Sequence, residues 1–175
     1  NIVSNLEVPP AYLNLEENLC LSLTTPITYV DGTTVTLQEL INNYNSGNVD
    51  MWVHSYDHNI GKIVPGKIKW AGITKKNTEV VRVWLDNEKY IDCTPDHPFM
   101  LRDGTYKEAK DLKSGESLMP FYTKNTNSKS SNGLSYMMVY HPGINKWQLR
   151  YRAFADSLGY KYGKGFVIHH LDGNP

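Results

Sequence analysis

Between Cys20 and Tyr122 turn signals cut the chain into short pieces: Asp31-Gly32, Asn59–Gly61, Pro65-Gly66 and Asp103-Gly104. Glycine supplies positive φ and proline removes a backbone donor, so no long helix or strand runs through these points. The intervening pieces Met51–Tyr56, Gly66–Ile73, Glu79–Leu85, Lys89–Cys93 and Phe99–Leu101 are rich in β-branched and aromatic residues. Such runs predict strands, and residues 20–122 are therefore expected to form one mostly β unit. Two helical pieces interrupt it, Leu37–Tyr44 and Lys107–Leu112. In the first, Leu37, Leu40 and Ile41 share one face.

The remaining zones differ in composition. Residues 1–19 are polar, contain Pro9-Pro10 and show no periodicity, which marks a flanking segment. Residues 123–134 read as a polar linker, because Lys124–Gly133 offers a core nothing but a threonine methyl. Residues 135–175 form a further small piece with a helix expected near Leu149–Leu158. From His141 onward there are five Lys or Arg against two Asp, whereas residues 1–140 carry 13 basic and 16 acidic groups. The overall balance of 18 against 18 thus hides a basic C-terminal piece.

Several function classes fall away. No apolar run approaches the ~18 residues of a membrane span, so no membrane partner is expected. Two cysteines form neither a disulfide framework nor a four-sulfur zinc site. Residues 1–19 lack the basic start and apolar centre of a signal peptide, and a cytoplasmic, reducing compartment is expected. In such a compartment a cysteine can be kept for its reactivity.

Cys93 lies within a predicted strand and reads as a small core residue. Cys20 opens the β unit directly after the polar flank. A thiol there can attack the carbonyl of the preceding residue and turn the Leu19–Cys20 amide into a thioester. That step needs a proton for the departing nitrogen and a donor for the developing oxyanion. In Thr94-Pro-Asp-His97 an extended segment with a turn at Pro95 brings a hydroxyl and an imidazole toward one site.

Three ordered blocks resemble the Hedgehog/intein (Hint) splicing domain: Cys20 with the strand after it, Gly61–Lys69, and Thr94–Leu112 followed by Ser114–Pro120. The resemblance spans about residues 20–120. It implies a β-horseshoe fold, with Cys20 as the nucleophile at the Leu19–Cys20 scissile bond. It further implies that Thr94 and His97 activate that bond, with Asp96 assisting Thr94. Splicing of this kind is single-turnover and autocatalytic, and it uses no cofactor. The family finishes with two further strands, a penultimate His and a terminal Asn before Cys, Ser or Thr, and nothing after Pro120 matches them. The expectation is an incomplete horseshoe: the N-terminal fragment of a split intein, bacterial or phage-encoded, that splices in trans with a complementary C-terminal intein fragment. Residues 1–19 would then be an N-extein or an expression remnant.

Val167–Pro175 resembles the opening of an HNH nuclease motif, and Tyr136–Trp147 with Arg150–Tyr160 resembles its lead-in. The resemblance makes His169 the metal ligand and His170 the base, within a small α+β fragment. The central and closing parts of the motif are missing, so a divalent metal is expected only with a completed HNH domain. No nuclease activity is expected of these residues, and at most weak, salt-sensitive DNA binding through residues 141–175. The alternative function is a DNA-binding or nicking homing-endonuclease fragment with the β unit as its scaffold.

Overall fold

The computed structural model describes residues 20–126, 135–161, 163 and 168. The fold is mostly β, and its contacts divide into two units. Among the described residues the larger holds Cys20–His54 together with Gly66–Met119, and the smaller holds Ser55–Pro65 with those described from Pro120 onward. No helix among the described residues is long and apolar enough to cross a membrane.

In the larger unit β1 (Pro26–Thr28) and β2 (Thr34–Thr36) pair antiparallel, with Ile27 opposite Val35. Their turn needs Gly32 at φ 96°, and Asp31 Oδ1 accepts the Thr33 N–H at 2.8 Å. Thr36 then starts α1 (Leu37–Asn45) with a capping box. Its hydroxyl accepts the Glu39 N–H at 3.2 Å, and Glu39 returns a carboxylate to the Thr36 N–H at 2.7 Å. Two of the helix's otherwise orphaned donors are thereby satisfied. Leu40 and Ile41 are buried against Ile27, Met51, Val53 and Ile68. Each such side chain removed from water contributes roughly 2 kcal/mol.

β3 (Trp52–Asp57) pairs with β4 (Lys62–Lys67), and the chain passes from one unit to the other within these strands. After β4, residues 68–80 carry no regular structure, whereas composition predicts a strand as far as Ile73. The apolar side chains of this stretch pack singly rather than in alternation: Ile68 and Ala71 are buried, Trp70 and Ile73 exposed. β5 (Val81–Trp84) and β6 (Tyr90–Cys93) form a hairpin, as do β7 (Pro98–Met100) and β8 (Tyr106–Glu108). A 3-10 turn at Ala109–Asp111 follows, so the helix expected over 107–112 is half strand and half tight turn. Ile91, Cys93, Phe99 and Ala109 make the core of this part.

The smaller unit is a three-stranded antiparallel sheet, β9 (Thr123–Asn125), β10 (Met137–His141) and β11 (Lys146–Leu149), in the order β11-β10-β9, followed by α2 (Arg150–Ser157). Thr123–Asn125, which composition places in a linker, is a strand: its three residues pair with Val139, Met138 and Met137. Val139, Ala153 and Ile63 form the core of this unit with Tyr56 and Phe121. Gly61 and Gly143 touch through backbone; a Cβ on Gly143 would lie 2.5 Å from the Gly61 Cα.

His141 is 1% exposed and carries the unit's buried polar network. Its Nδ1 accepts the Ile63 N–H at 3.0 Å, so the proton sits on Nε2, which reaches Gln148 Oε1 at 2.9 Å. Gln148 in turn donates to Asp156 at 2.6 Å. Burial holds the imidazole below its usual pKa, against the opposing pull of Gln148. Replacing His141 by Leu leaves the buried Ile63 N–H without an acceptor. We expect a loss of about 2 kcal/mol in urea unfolding, together with faster hydrogen exchange at the Ile63 amide.

Candidate active site

Three residues at the end of β6 organise the site. Leu21 bridges to Cys93, and the Ser22 N–H donates to the Asp92 carbonyl at 2.8 Å. The segment entering the domain therefore lies beside β6 as an extra short strand. Cys20 and Thr94 close the pairing. The Thr94 N–H donates to the Cys20 carbonyl at 2.9 Å, and the Cys20 N–H donates to Thr94 Oγ1 at 3.2 Å. That N–H belongs to the amide nitrogen that joins Cys20 to residue 19.

Thr94 is 1% exposed, and from it the chain makes a tight turn through Pro95. The His97 N–H returns to the Thr94 carbonyl at 3.0 Å. The turn is braced from outside, because Pro95 and His97 offer their carbonyls to the N–H groups of Lys110 and Ala109 at 2.9 and 2.8 Å. The 3-10 geometry of residues 109–111 thus serves to hold the Thr94–His97 turn.

His97 is 7% exposed and stands edge-on to Phe99, with ring centroids 5.3 Å apart. Burial pushes its pKa down to about 4, against the opposing pull of Asp96. At neutral pH the ring is uncharged. Its Nδ1 is buried and has no hydrogen-bond partner. Asp96 lies on the same turn, with its carboxyl held below the usual range, first by the Thr94 hydroxyl and then by Lys75. Lys75 Nζ reaches Asp96 Oδ2 at 3.4 Å, while Oδ1 is buried without a hydrogen-bond partner.

The Cys20 thiol lies 2.7 Å from the Thr74 hydroxyl. Both line a cavity of about 440 Å³ whose walls include Leu23, Leu37, Ile41 and Ile68. Sequence reading missed Thr74 and Lys75. They sit in the irregular stretch after β4, and no motif spacing marks them. Cys93, by contrast, is fully buried, and burial raises its thiol to about 11. It has neither the access nor the ionisation of a nucleophile. Leu19, His169 and His170 lie outside the described residues. Among the described residues no three or more His, Cys, Asp or Glu side chains gather to hold a metal ion.

The arrangement brings together a thiol and a hydroxyl on the adjoining amide nitrogen, and the turn that carries the hydroxyl also carries a neutral imidazole with a spare buried nitrogen. Stability should reveal the state of that imidazole. The unfolded chain takes up the histidine proton near pH 6.5, whereas the folded chain resists it down to about 4. Stability is therefore lost as pH falls through this window and stays level below it, a change of about 3 kcal/mol for this group. Unfolding curves at pH 7 and pH 4 should differ by that much more in the native chain than in His97→Gln.

Comparison with known proteins bears on the same residues. The family model for the intein splicing domain matches residues 27–146, a stretch that contains Thr94, Asp96 and His97 and begins after Cys20. Over 131 residues, 73% of the chain, the sequence is 39% identical to the gyrase B protein of the DNA gyrase of Synechocystis sp.. That match spans 12% of the cyanobacterial protein. With its mostly β fold and a family match over more than half its length, the chain belongs to the intein splicing domain family.

Proposed function

We propose that this domain performs the first step of protein splicing, an N-to-S acyl shift at Leu19–Cys20. The observation that carries the reading is the hydrogen bond from the Cys20 N–H to Thr94 Oγ1, which holds the nitrogen of that amide beside its own nucleophile. In the shift, Sγ bonds to the Leu19 carbonyl carbon and the C–N bond breaks. The thiol's proton is released, and the new amine gains one. His97 carries the proton between them: neutral at the start and with an unsatisfied Nδ1, it takes up a proton as the thiol gives one up, and the imidazolium so formed gives it to the nitrogen as the C–N bond breaks. Thr94, with Asp96 behind it, keeps the amide in place. No cofactor enters these steps.

The 175 residues contain no His-Asn followed by Cys, Ser or Thr. Asn cyclisation and the second nucleophile are therefore assigned to a complementary C-terminal segment. When that segment comes as a separate polypeptide, the reaction is trans-splicing. Capture of such a segment is supported by the larger unit, whose named strands pair two by two among the described residues; Leu21 and Ser22 already lie along β6, and the edges not covered in this way suit strand addition. Dithiothreitol should release residues 1–19 from the chain reconstituted with that segment. Release should vanish in Cys20→Ala and slow about 100-fold in His97→Gln. Release that survives Cys20→Ala, read by mass spectrometry, overturns the assignment.

The smaller unit favours a second, minor role in nucleic-acid contact. Lys124 stands 4.1 Å over the Trp147 ring, beside Tyr140 and the exposed Tyr122. Cations over aromatic rings suit nucleobase stacking and phosphate together. His169 and His170 remain the HNH-like residues in this reading, with a divalent metal only in a completed motif. Mobility shifts with DNA at low salt should weaken in Trp147→Ala and disappear as salt rises.

A further inference from the structure

We infer that Thr74 is a positioning residue for the Cys20 thiol, an assignment that rests on the acyl-shift reading above. Its hydroxyl lies 2.7 Å from Sγ, across 54 residues of sequence. The contact is part of a built arrangement. The adjacent Lys75 reaches Asp96 on the Thr94–His97 turn, so one short stretch touches both the nucleophile and the group behind Thr94. Gly72 shapes that stretch, because the Trp70 indole occupies the space a Cβ at Gly72 would need.

The chemistry gives the hydroxyl a task. Cys20 has its backbone fixed by Thr94, which leaves rotation about the Cα–Cβ bond to decide where sulfur points. A hydrogen bond to Thr74 selects one direction, along a cavity wall lined largely by apolar side chains. A hydroxyl both accepts and donates. It can accept from the thiol or donate to the sulfur, and in either role it holds Sγ in one direction. Thr74 neither gains nor loses a proton across the step: sulfur loses one, the S–C bond forms, the C–N bond breaks and the nitrogen gains one.

Thr74→Val keeps the shape and removes the hydroxyl, Thr74→Ser restores it, and the position is exposed enough that neither should disturb folding. Two measurements on the full chain read the effect. The first is the rate of Cys20 alkylation by iodoacetamide at fixed pH, followed by mass; buried Cys93 stays silent. The second is dithiothreitol-induced release of residues 1–19 with the complementary segment present. Thr74→Val should slow alkylation about threefold and release about fivefold, and Thr74→Ser should return both to within about twofold of native. An unchanged alkylation rate in Thr74→Val, or a Thr74→Ser as slow as Thr74→Val, overturns the assignment. Failure of the native chain to release residues 1–19 would instead strike the acyl-shift reading, and the alkylation rate would still judge Thr74.

Discussion

The reciprocal pairing of Cys20 with Thr94 is the interaction on which the site depends. Two hydrogen bonds, at 2.9 and 3.2 Å, tie the start of the domain to a position 74 residues later. Closing so long a loop costs entropy that two hydrogen bonds do not offset. The hairpin β5–β6 and the core around Ile91, Cys93, Phe99 and Ala109 meet that cost, and the pairing is then made on a surface already in place. Thr94 adds its side chain to the backbone ladder, and so the amide nitrogen of Cys20 finds a side-chain acceptor where a strand would offer a carbonyl.

Burial then sorts the ionisable groups around this seam. His97 is nine-tenths hidden and neutral, with burial the larger effect and Asp96 the smaller. Asp96 stays ionised because Thr94 and Lys75 favour its charged form over the cost of desolvation. Cys93 is protonated and sealed, although it neighbours Thr94 in the chain. Of the two thiols, Cys20 lines the cavity and Cys93 is fully buried. A neutral imidazole with a free nitrogen can take up a proton and pass it on, which is what the proposed acyl shift asks of His97.

Much of this was legible from residue order. The Asp31-Gly32 and Asp103-Gly104 turns sit where positive φ is required, and the spacing of Leu37, Leu40 and Ile41 located α1 to within a residue. Local sequence failed where a neighbour decides the outcome. Thr123–Asn125 has linker-like composition and becomes a strand because β10 offers it a partner. Gly66–Ile73 has strand-like composition, yet its second half finds no partner in a sheet and packs as an irregular stretch. Residues 109–111 are a tight turn because the N–H groups of Ala109 and Lys110 serve the carbonyls of His97 and Pro95.

The sequence by itself determined which chemical groups the chain could use. Cys20 at a flank junction and the Thr94-Pro-Asp-His97 spacing are local patterns, and chemistry attaches to them without coordinates. Only the tertiary structure decided which atoms meet: that Thr94 holds the Cys20 nitrogen, that His97 keeps a buried Nδ1 in reserve, and that Thr74 and Lys75 come in from an irregular stretch. Contacts across 54 or 21 residues leave no periodic trace, because they depend on how separate elements pack rather than on the spacing within any one of them.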